Sequence, residues 1–170
     1  ASWQRALTAA KAALKKHRRA LRRTDTVVVI NYDTTVFDPW TQQEMPDRLR
    51  VYTVGKAWTV QQKTWVSQAH RSGLKCARTF SNVPESLISS RGAFMTHRTV
   101  HKSPTFGYPA LKVHGLEKGV NHNALRRAII FHQASYHGSP IDYSEGCFMT
   151  RPDVNQHLLK TIAGGGLVYV

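Results

Sequence analysis

The chain has 170 residues, of which 41% are hydrophobic, and its formal net charge is +14. This length suits one domain with one core, and the hydrophobic content excludes wholesale disorder. No apolar run approaches the roughly 18–20 residues that a membrane-spanning helix needs, so we expect no membrane span. The chain begins at Ala1 without a methionine, as a processed or trimmed protein would, so the missing leader says nothing about secretion.

The positive charge is concentrated at the N-terminus. Residues 1–23 contain eight of the 24 Lys and Arg residues and no acid, so residues 24–170 carry 16 basic against 10 acidic side chains, a net +6. Such an excess attracts nucleic acid, anionic lipid or anionic cell-wall polymers alike. The aromatic residues do not cluster with the basic ones as a base-stacking platform requires, so we expect no nucleic-acid partner.

Residues 2–23 are predicted to form a basic amphipathic helix, which Ser2 can cap. Apolar residues recur along it at the spacing of one helical face, namely Trp3, Leu7, Ala10, Leu14 and Leu21. The other faces carry Lys and Arg. Two roles stay open: a peripheral contact with a membrane surface or a wall polymer, or a solvated helix docked on the domain through its apolar side chains.

From Thr24 onward the pattern is mainly that of β-structure. Strands are predicted at 26–32, 48–54, 110–116, 128–133 and 167–170, with a short strand ending the Ser/Pro/Gly-rich segment 80–96. Segment 33–47 is predicted to be a loop or hairpin connection, and 56–70 a mixture of strand and turn. Residues 152–166 are predicted to form a helix that Pro152 begins and three glycines end. We expect a mainly β (α+β) domain over residues 24–170.

The candidate chemistry lies in the sequence Ser144–Glu145–Gly146–Cys147, and Cys147 follows His132 by fifteen residues. The glycine allows a sharp turn that can aim backbone N–H groups at an oxyanion, and a nearby histidine favours the thiolate of a cysteine. These residue types fit equally a buried cysteine and a core histidine. The second cysteine, Cys76, leaves open a single disulfide, or one reactive thiol and one structural cysteine.

This segment resembles the signature of the L,D-transpeptidase catalytic domain of the YkuD type: a strand with a histidine, a variable loop, and Ser/Thr-x-Gly-Cys. The resemblance is closest to the murein L,D-transpeptidase branch, because four segments match in order. These segments are 80–94, 110–132, 144–147 and 161–170. The resemblance covers roughly residues 26–170 and implies a β-sandwich with mixed sheets, a helix before the last strand, and no cofactor.

The resemblance also implies roles for individual residues. Cys147 is the expected nucleophile and His132 the general base, while Ser144 and the backbone at Gly146 support the turn and the oxyanion site. The expected substrate-binding residues are His114, Ser89, Ser90, Glu145 and Arg126. For His114 a satisfied histidine at a strand end, and for Arg126 and Arg127 a solvated face, stay open as the other interpretations.

The implied function is a peptidoglycan L,D-transpeptidase or L,D-carboxypeptidase that acts on stem peptides outside the cytoplasm. Two departures from the family pattern are Glu145, where histidine or tryptophan is usual, and Gln133, where glycine is usual. They and the short loop before Cys147 bear on substrate choice more than on mechanism, and they point toward hydrolysis beside cross-linking. Glu145 and Gln133 also leave open an inactive domain that only binds peptidoglycan or another polyanion. Six histidines lie between 97 and 137, but no carboxylate cluster accompanies them, so we expect no metal site.

Overall fold

The computed structural model describes residues 2–33, 47–67, 80–86, 88–104, 107–134 and 146–170. These ranges contain α1 (Ser2–His17), β1 (Thr26–Ile30), β2 (Leu49–Val54), β3 (Trp58–Thr64), β4 (Ala93–Thr96), β5 (His101–Lys102), β6 (Pro109–Gly115), β7 (Ile130–Gln133), β8 (Phe148–Thr150), α2 (Pro152–Ile162) and β9 (Leu167–Tyr169). Neither of the two helices found there has the length and apolar character to cross a membrane.

The strands form one mixed sheet in the order β3-β2-β1-β9-β4-β6-β7-β8, and β5 also pairs with β6. The pairs β1–β9 and β7–β8 are parallel, whereas the others are antiparallel. Helix α2 contacts β1, β6 and β7, although three strands separate β1 from β7 in the sheet. The sheet therefore curls around α2, and the predicted mainly β, mixed architecture with helices near both ends is confirmed.

The main core lies between α2 and the face of the sheet that curls around it. Leu158, Leu159 and Ile162 of α2 pack there against buried strand residues. Those strand residues include Val28, Leu49, Val51, Phe94, Leu111, Val113, Phe131, Phe148 and Val168. The helix follows its sequence signals closely, because Pro152 begins it and the chain leaves it before Gly164 and Gly165, both at positive φ.

A second core lies on the opposite face of the sheet, beneath α1. Ala10, Ala13 and Leu14 of α1 are buried, and Trp3 packs at the edge of the same cluster. The strand residues beneath them include Val27, Val29, Tyr52, Ala93 and Leu167. The apolar stripe of the basic helix is therefore used to dock on the sheet.

Some predicted boundaries were wrong. Helix α1 ends at His17 rather than at residue 23, because the backbone N–H groups of Arg22 and Arg23 donate to the carbonyl of Gly165, at 3.0 and 3.2 Å, and not to a helical turn. Helix α2, in contrast, ends at Ile162, just before the glycine run that was predicted to stop it. The short strands β5 and β8 were not predicted. The predicted connection 33–47 and residues 68–70 lie almost wholly outside the described residues.

Candidate active site

Cys147 and His132 lie on neighbouring parallel strands. His132 on β7 is the register partner of Met149 on β8, two residues after Cys147. Side chains alternate between the two faces of a sheet, so Cys147, Met149 and His132 share one face. Phe131 and Phe148 share the other, where their ring centroids are 4.8 Å apart. With usual strand spacing and rise, the Cα atoms of Cys147 and His132 are about 8 Å apart.

The contacts of His132 determine its tautomer. Its Nδ1 atom lies 2.8 Å from the carbonyl oxygen of Gln133. Because a carbonyl only accepts hydrogen bonds, Nδ1 carries the proton and Nε2 carries the lone pair. The side chain is 4% exposed. Burial lowers the pKa of His132 below its ordinary value of 6.5, although the hydrogen bond to Gln133 acts in the opposite direction. The imidazole is therefore held neutral, as a general base requires.

Tyr108 covers the ring of His132. The two rings stack with centroids 6.3 Å apart and an angle of 21° between their planes. Burial raises the pKa of Tyr108 above 10.0, so this side chain remains a neutral phenol in the range where a histidine titrates. The stacking orients the imidazole and helps to exclude water from one of its sides.

The turn before β8 needs a glycine. Gly146 has a φ of 119°, a backbone conformation that other residues rarely adopt. A Cβ atom added there would lie 2.8 Å from Cδ1 of Ile129 and 3.1 Å from Nη2 of Arg127. The thiol of Cys147 follows this turn and lies 3.5 Å from the carbonyl oxygen of Ala128, itself at a positive φ of 54°. Both sides of the cysteine are thus built from unusual backbone.

Arg127 fastens the segment 81–90 beside this turn. Its guanidinium is partly buried and donates to the carbonyl oxygens of Ser81 and Ile88 and to the hydroxyl oxygens of Ser86 and Ser90. A planar group with five donors suits such a set of acceptors better than the single ammonium of lysine does. Arg127 therefore ties one wall of the site together.

The same guanidinium faces the candidate nucleophile. Burial lowers the pKa of Arg127, while its attraction to the charge of Cys147 acts to raise it. An attraction of this kind is reciprocal, so the cation favours the thiolate form of Cys147. Arg127 thus combines a structural contact with an electrostatic one.

Ser67 holds the backbone of β8 from the other side. Its hydroxyl accepts from the backbone N–H of Met149 at 3.0 Å and lies 3.3 Å from the carbonyl oxygen of Cys147. Its own N–H donates to the carbonyl of Met149, and its carbonyl accepts from the hydroxyl of Tyr32 at 2.6 Å. Because Ser67 is fully buried, these bonds form away from water and position the strand that follows Cys147.

The remaining predicted residues occupy different surroundings. Ser89 and Ser90 are each 1% exposed, and the hydroxyl of Ser90 is bound to Arg127. Arg126 is exposed, whereas His114 is half-buried on β6. Ser144 and Glu145 lie outside the described residues, as does Cys76. The substrate-binding roles of these residues stay predictions.

Close packing of the backbone explains the residues that follow His114, among them Gly115 and Asn121. The side-chain amide of Asn121 donates to the carbonyl oxygen of Ala93 at 2.8 Å, and its carbonyl oxygen accepts from the N–H of Glu117 at 3.0 Å. A Cβ atom on Gly115 would lie only 1.8 Å from the backbone carbonyl oxygen of Asn121. This part of the matching segment 110–132 therefore joins β4 to β6.

His114 has a histidine partner. Its Nε2 atom lies 3.1 Å from Nδ1 of His97, and the two rings stack with centroids 5.4 Å apart. In the part of the chain that the structure describes, no group of three or more His, Cys, Asp or Glu side chains is arranged to hold a metal ion.

Comparison with known sequences decides the family. A sequence model described as the L,D-transpeptidase catalytic domain, of the YkuD type, matches residues 4–170. The chain belongs to this family. Among solved structures, the crystal structure of the L,D-transpeptidase (residues 123–326) from Xylanimonas cellulosilytica DSM 15894 is 16% identical, with a TM-score of 0.42, and the alignment covers 94% of this chain and 67% of that one. No curated protein matches.

Sequence reasoning missed three residues of this L,D-transpeptidase site. Arg127 was considered only for a substrate contact or a solvated face, because nothing local distinguishes it from Arg126. Ser67 and Tyr108 carry no sequence signal, since each reaches the site from a distant part of the chain. The proximity of Arg127 to the glycine turn is a consequence of the fold alone.

Proposed function

We propose that this L,D-transpeptidase domain is a cysteine acyltransferase acting on the tetrapeptide stems of peptidoglycan, with Cys147 as the nucleophile and His132 as the general base. The observation that carries the proposal is the placement of both side chains on one face of adjacent strands, with the proton of the neutral imidazole of His132 on Nδ1 rather than on Nε2. Family membership supports the peptidoglycan substrate.

In the first half-reaction Nε2 of His132 takes the thiol proton, and the Sγ atom of Cys147 attacks the carbonyl of the L-centre of diaminopimelate. The bond from that carbonyl to the nitrogen of D-alanine breaks, and the leaving amine takes the proton back from His132. The product is a thioester on Cys147 and free D-alanine. The cation of Arg127 stabilises the thiolate that forms on the way.

In the second half-reaction an amine of another stem or a water molecule attacks the thioester. His132 takes a proton from this acceptor, and the thiol of Cys147 leaves after recovering a proton. An amine gives a cross-link, which is transpeptidation, and water gives a trimmed stem, which is carboxypeptidase activity. We propose that the domain acts outside the cytoplasm, where peptidoglycan stems are found.

The substitution of Gln133 for the usual glycine does not weigh against activity. The contact between residue 133 and His132 is made by the backbone carbonyl, which every residue possesses. The side chain at this position therefore leaves the tautomer of the base unchanged. This argument favours the acyltransferase over a domain that only binds peptidoglycan.

Intact-mass spectrometry after exposure to a purified disaccharide tetrapeptide or a carbapenem tests the proposal. We expect an acyl adduct on the wild-type protein and on the Cys76→Ser control, and none on Cys147→Ala. Chromatography of the products then separates tripeptide stems from cross-linked dimers. An adduct that persists in Cys147→Ala, or a wild-type protein that forms none and releases no D-alanine, contradicts the proposal.

A further inference from the structure

A row of side chains crosses the face of the sheet that carries His132, at the level of Cys147. Lys112 on β6 is the register partner of Ile130 on β7, and the N–H of His97 donates to the carbonyl oxygen of Lys112 at 2.8 Å. Since Phe131 pairs with Phe148, Cys147 is level with Ile130. Register partners share a face, so Cys147, Ile130, Lys112 and His97 follow one another at steps of about 4.8 Å.

His114 adds a third basic group to this row. It lies two residues after Lys112 on the same face of β6, and its ring is hydrogen-bonded to that of His97. Burial lowers the pKa of His114, and the positive charges of His97, Lys112 and Arg22 lower it further. The cluster therefore consists of Lys112 and two histidines, and the positive charge on one group opposes protonation of its neighbours.

No carboxylate within the described residues offsets this charge. The ion pairs formed between described residues join Arg23 to Asp25, Arg50 to Asp47, and Arg151 to Asp153. None of these ion pairs includes Lys112, His97 or His114. Lys112 itself is exposed, so its ammonium is accessible to solvent on the face of the sheet that carries Cys147. An ammonium group beside two imidazoles that can donate hydrogen bonds is suited to an anionic part of a substrate.

We infer that Lys112, together with His97 and His114, binds a carboxylate of the stem peptide while Cys147 attacks the carbonyl of the L-centre of diaminopimelate. This inference rests on the proposed function. Lys112 is two strands from Cys147, about 10 Å between Cα atoms, and its side chain reaches back across part of that distance. Two carboxylates of the stem come within this range, namely that on the diaminopimelate side chain and that of the terminal D-alanine.

Three synthetic tetrapeptide stems distinguish these sources: one with both carboxylates, one with an amidated diaminopimelate side chain, and one with a C-terminal D-alanine amide. The released amino acid or amide gives kcat and KM for each. We expect amidation of one carboxylate to raise KM about tenfold for the wild-type protein, which is the effect of losing a charge-assisted hydrogen bond. Lys112→Met should raise KM for the free stem equally and abolish the discrimination.

The matched control is Lys102→Met. Lys102 is exposed on β5, and its register partner Pro109 places it on the opposite face of the sheet. The Lys102→Met variant should discriminate among the three stems as the wild-type protein does. Equal KM values for Lys112→Met and Lys102→Met, or a wild-type protein indifferent to both amidations, would overturn the inference.

Failure of the proposed function gives a different result. A wild-type protein that releases nothing from any stem contradicts the acyl transfer, and calorimetric binding of the three stems to Cys147→Ala then tests the subsite alone. Tighter binding of a stem with the free carboxylate, accompanied by a raised pKa of His114 in NMR titration, supports the subsite. Equal binding of all three stems overturns it.

Discussion

Two regions of the same sheet face differ in what covers them. Over β1, β2 and β9 the face is apolar, with Val27, Val29 and Leu167 buried beneath Ala10 and Leu14 of α1. Over β6, β7 and β8 the same alternation of residues presents polar and reactive side chains. Those residues are Lys112, His114, His132 and Cys147.

The comparison shows that one alternation pattern supports both stability and chemistry, depending on whether a helix covers it. The covered region gains its stability from buried apolar surface. The α2 core lies directly behind β6, β7 and β8, so Phe131 and Phe148 hold β7 and β8 while His132 stays on the opposite face of the sheet. Arg22, which follows α1, marks the border because its charge acts on His114.

The largest expected effect is on catalysis, in the region over β6, β7 and β8. His132→Gln should lower kcat/KM for D-alanine release about a thousandfold, because the neutral base is lost. Steady-state kinetics on a tetrapeptide stem provide the measurement. His157→Gln, on the exposed side of α2, serves as the control and should keep wild-type kinetics. Similar activity of both variants would remove His132 from the mechanism.

The region covered by α1 is tested by Leu14→Ala, which truncates a side chain of α1 that faces the sheet and is 5% exposed. We expect the free energy of unfolding to fall by about 3 kcal/mol, from lost burial and the cavity that remains, with kcat and KM unchanged while the protein is folded. Denaturant unfolding followed by circular dichroism measures the loss. Lys15→Ala, at an exposed position of the same helix, should change it by less than about 0.5 kcal/mol. A fall in kcat for Leu14→Ala would mean that the two regions are coupled.

Arg127→Lys tests the contact between the wall and the nucleophile. Lysine keeps the charge but loses most of the hydrogen bonds to segment 81–90, so we expect a loss of about 2 kcal/mol in unfolding free energy. The displaced cation should also raise the pKa of the Cys147 thiol.

The rate of alkylation by iodoacetamide against pH, followed by mass spectrometry of the Cys147 peptide, measures that pKa. A purely structural role would leave it unchanged. Arg126→Lys is the neighbouring control, since Arg126 is exposed and has no described contact with the wall. Equal thiol pKa values in both variants would contradict the electrostatic role of Arg127.

The smallest effect is one of pH. Because burial lowers the pKa of His132 below 6.5, the base stays neutral down to that lowered value, and the acid limb of kcat/KM should have its midpoint below pH 6.5. Stability should also fall on acidification. His101, His114 and His132 all have lowered pKa values, so below 6.5 the unfolded chain binds more protons than the folded one. An acid limb above 6.5 would contradict the neutral base.

Much of this protein was predictable from local patterns. The three-to-four-residue spacing in α1, the β-branched run of β1 and the Pro and Gly signals of α2 each depend on neighbours along the chain. The pairing of His132 with Cys147 was predicted from a motif, and its geometry fits the proposed roles, which kinetics must still test. The ends of α1 and the strands β5 and β8 were not predictable, because contacts with distant segments determine them.

The amino-acid sequence by itself determined the mainly β class, the basic N-terminal helix and the candidate cysteine and histidine. Only the tertiary structure decided that α1 covers the half of a sheet face over β1, β2 and β9 and not the half that carries His132 and Cys147. It also decided that Arg127 faces the glycine turn, that Ser67 holds β8, and that Lys112 lies beside the pair His97–His114. The reason is physical: periodicity and turn chemistry act between neighbours along the chain, whereas these contacts join residues that only the pairing of distant strands brings together.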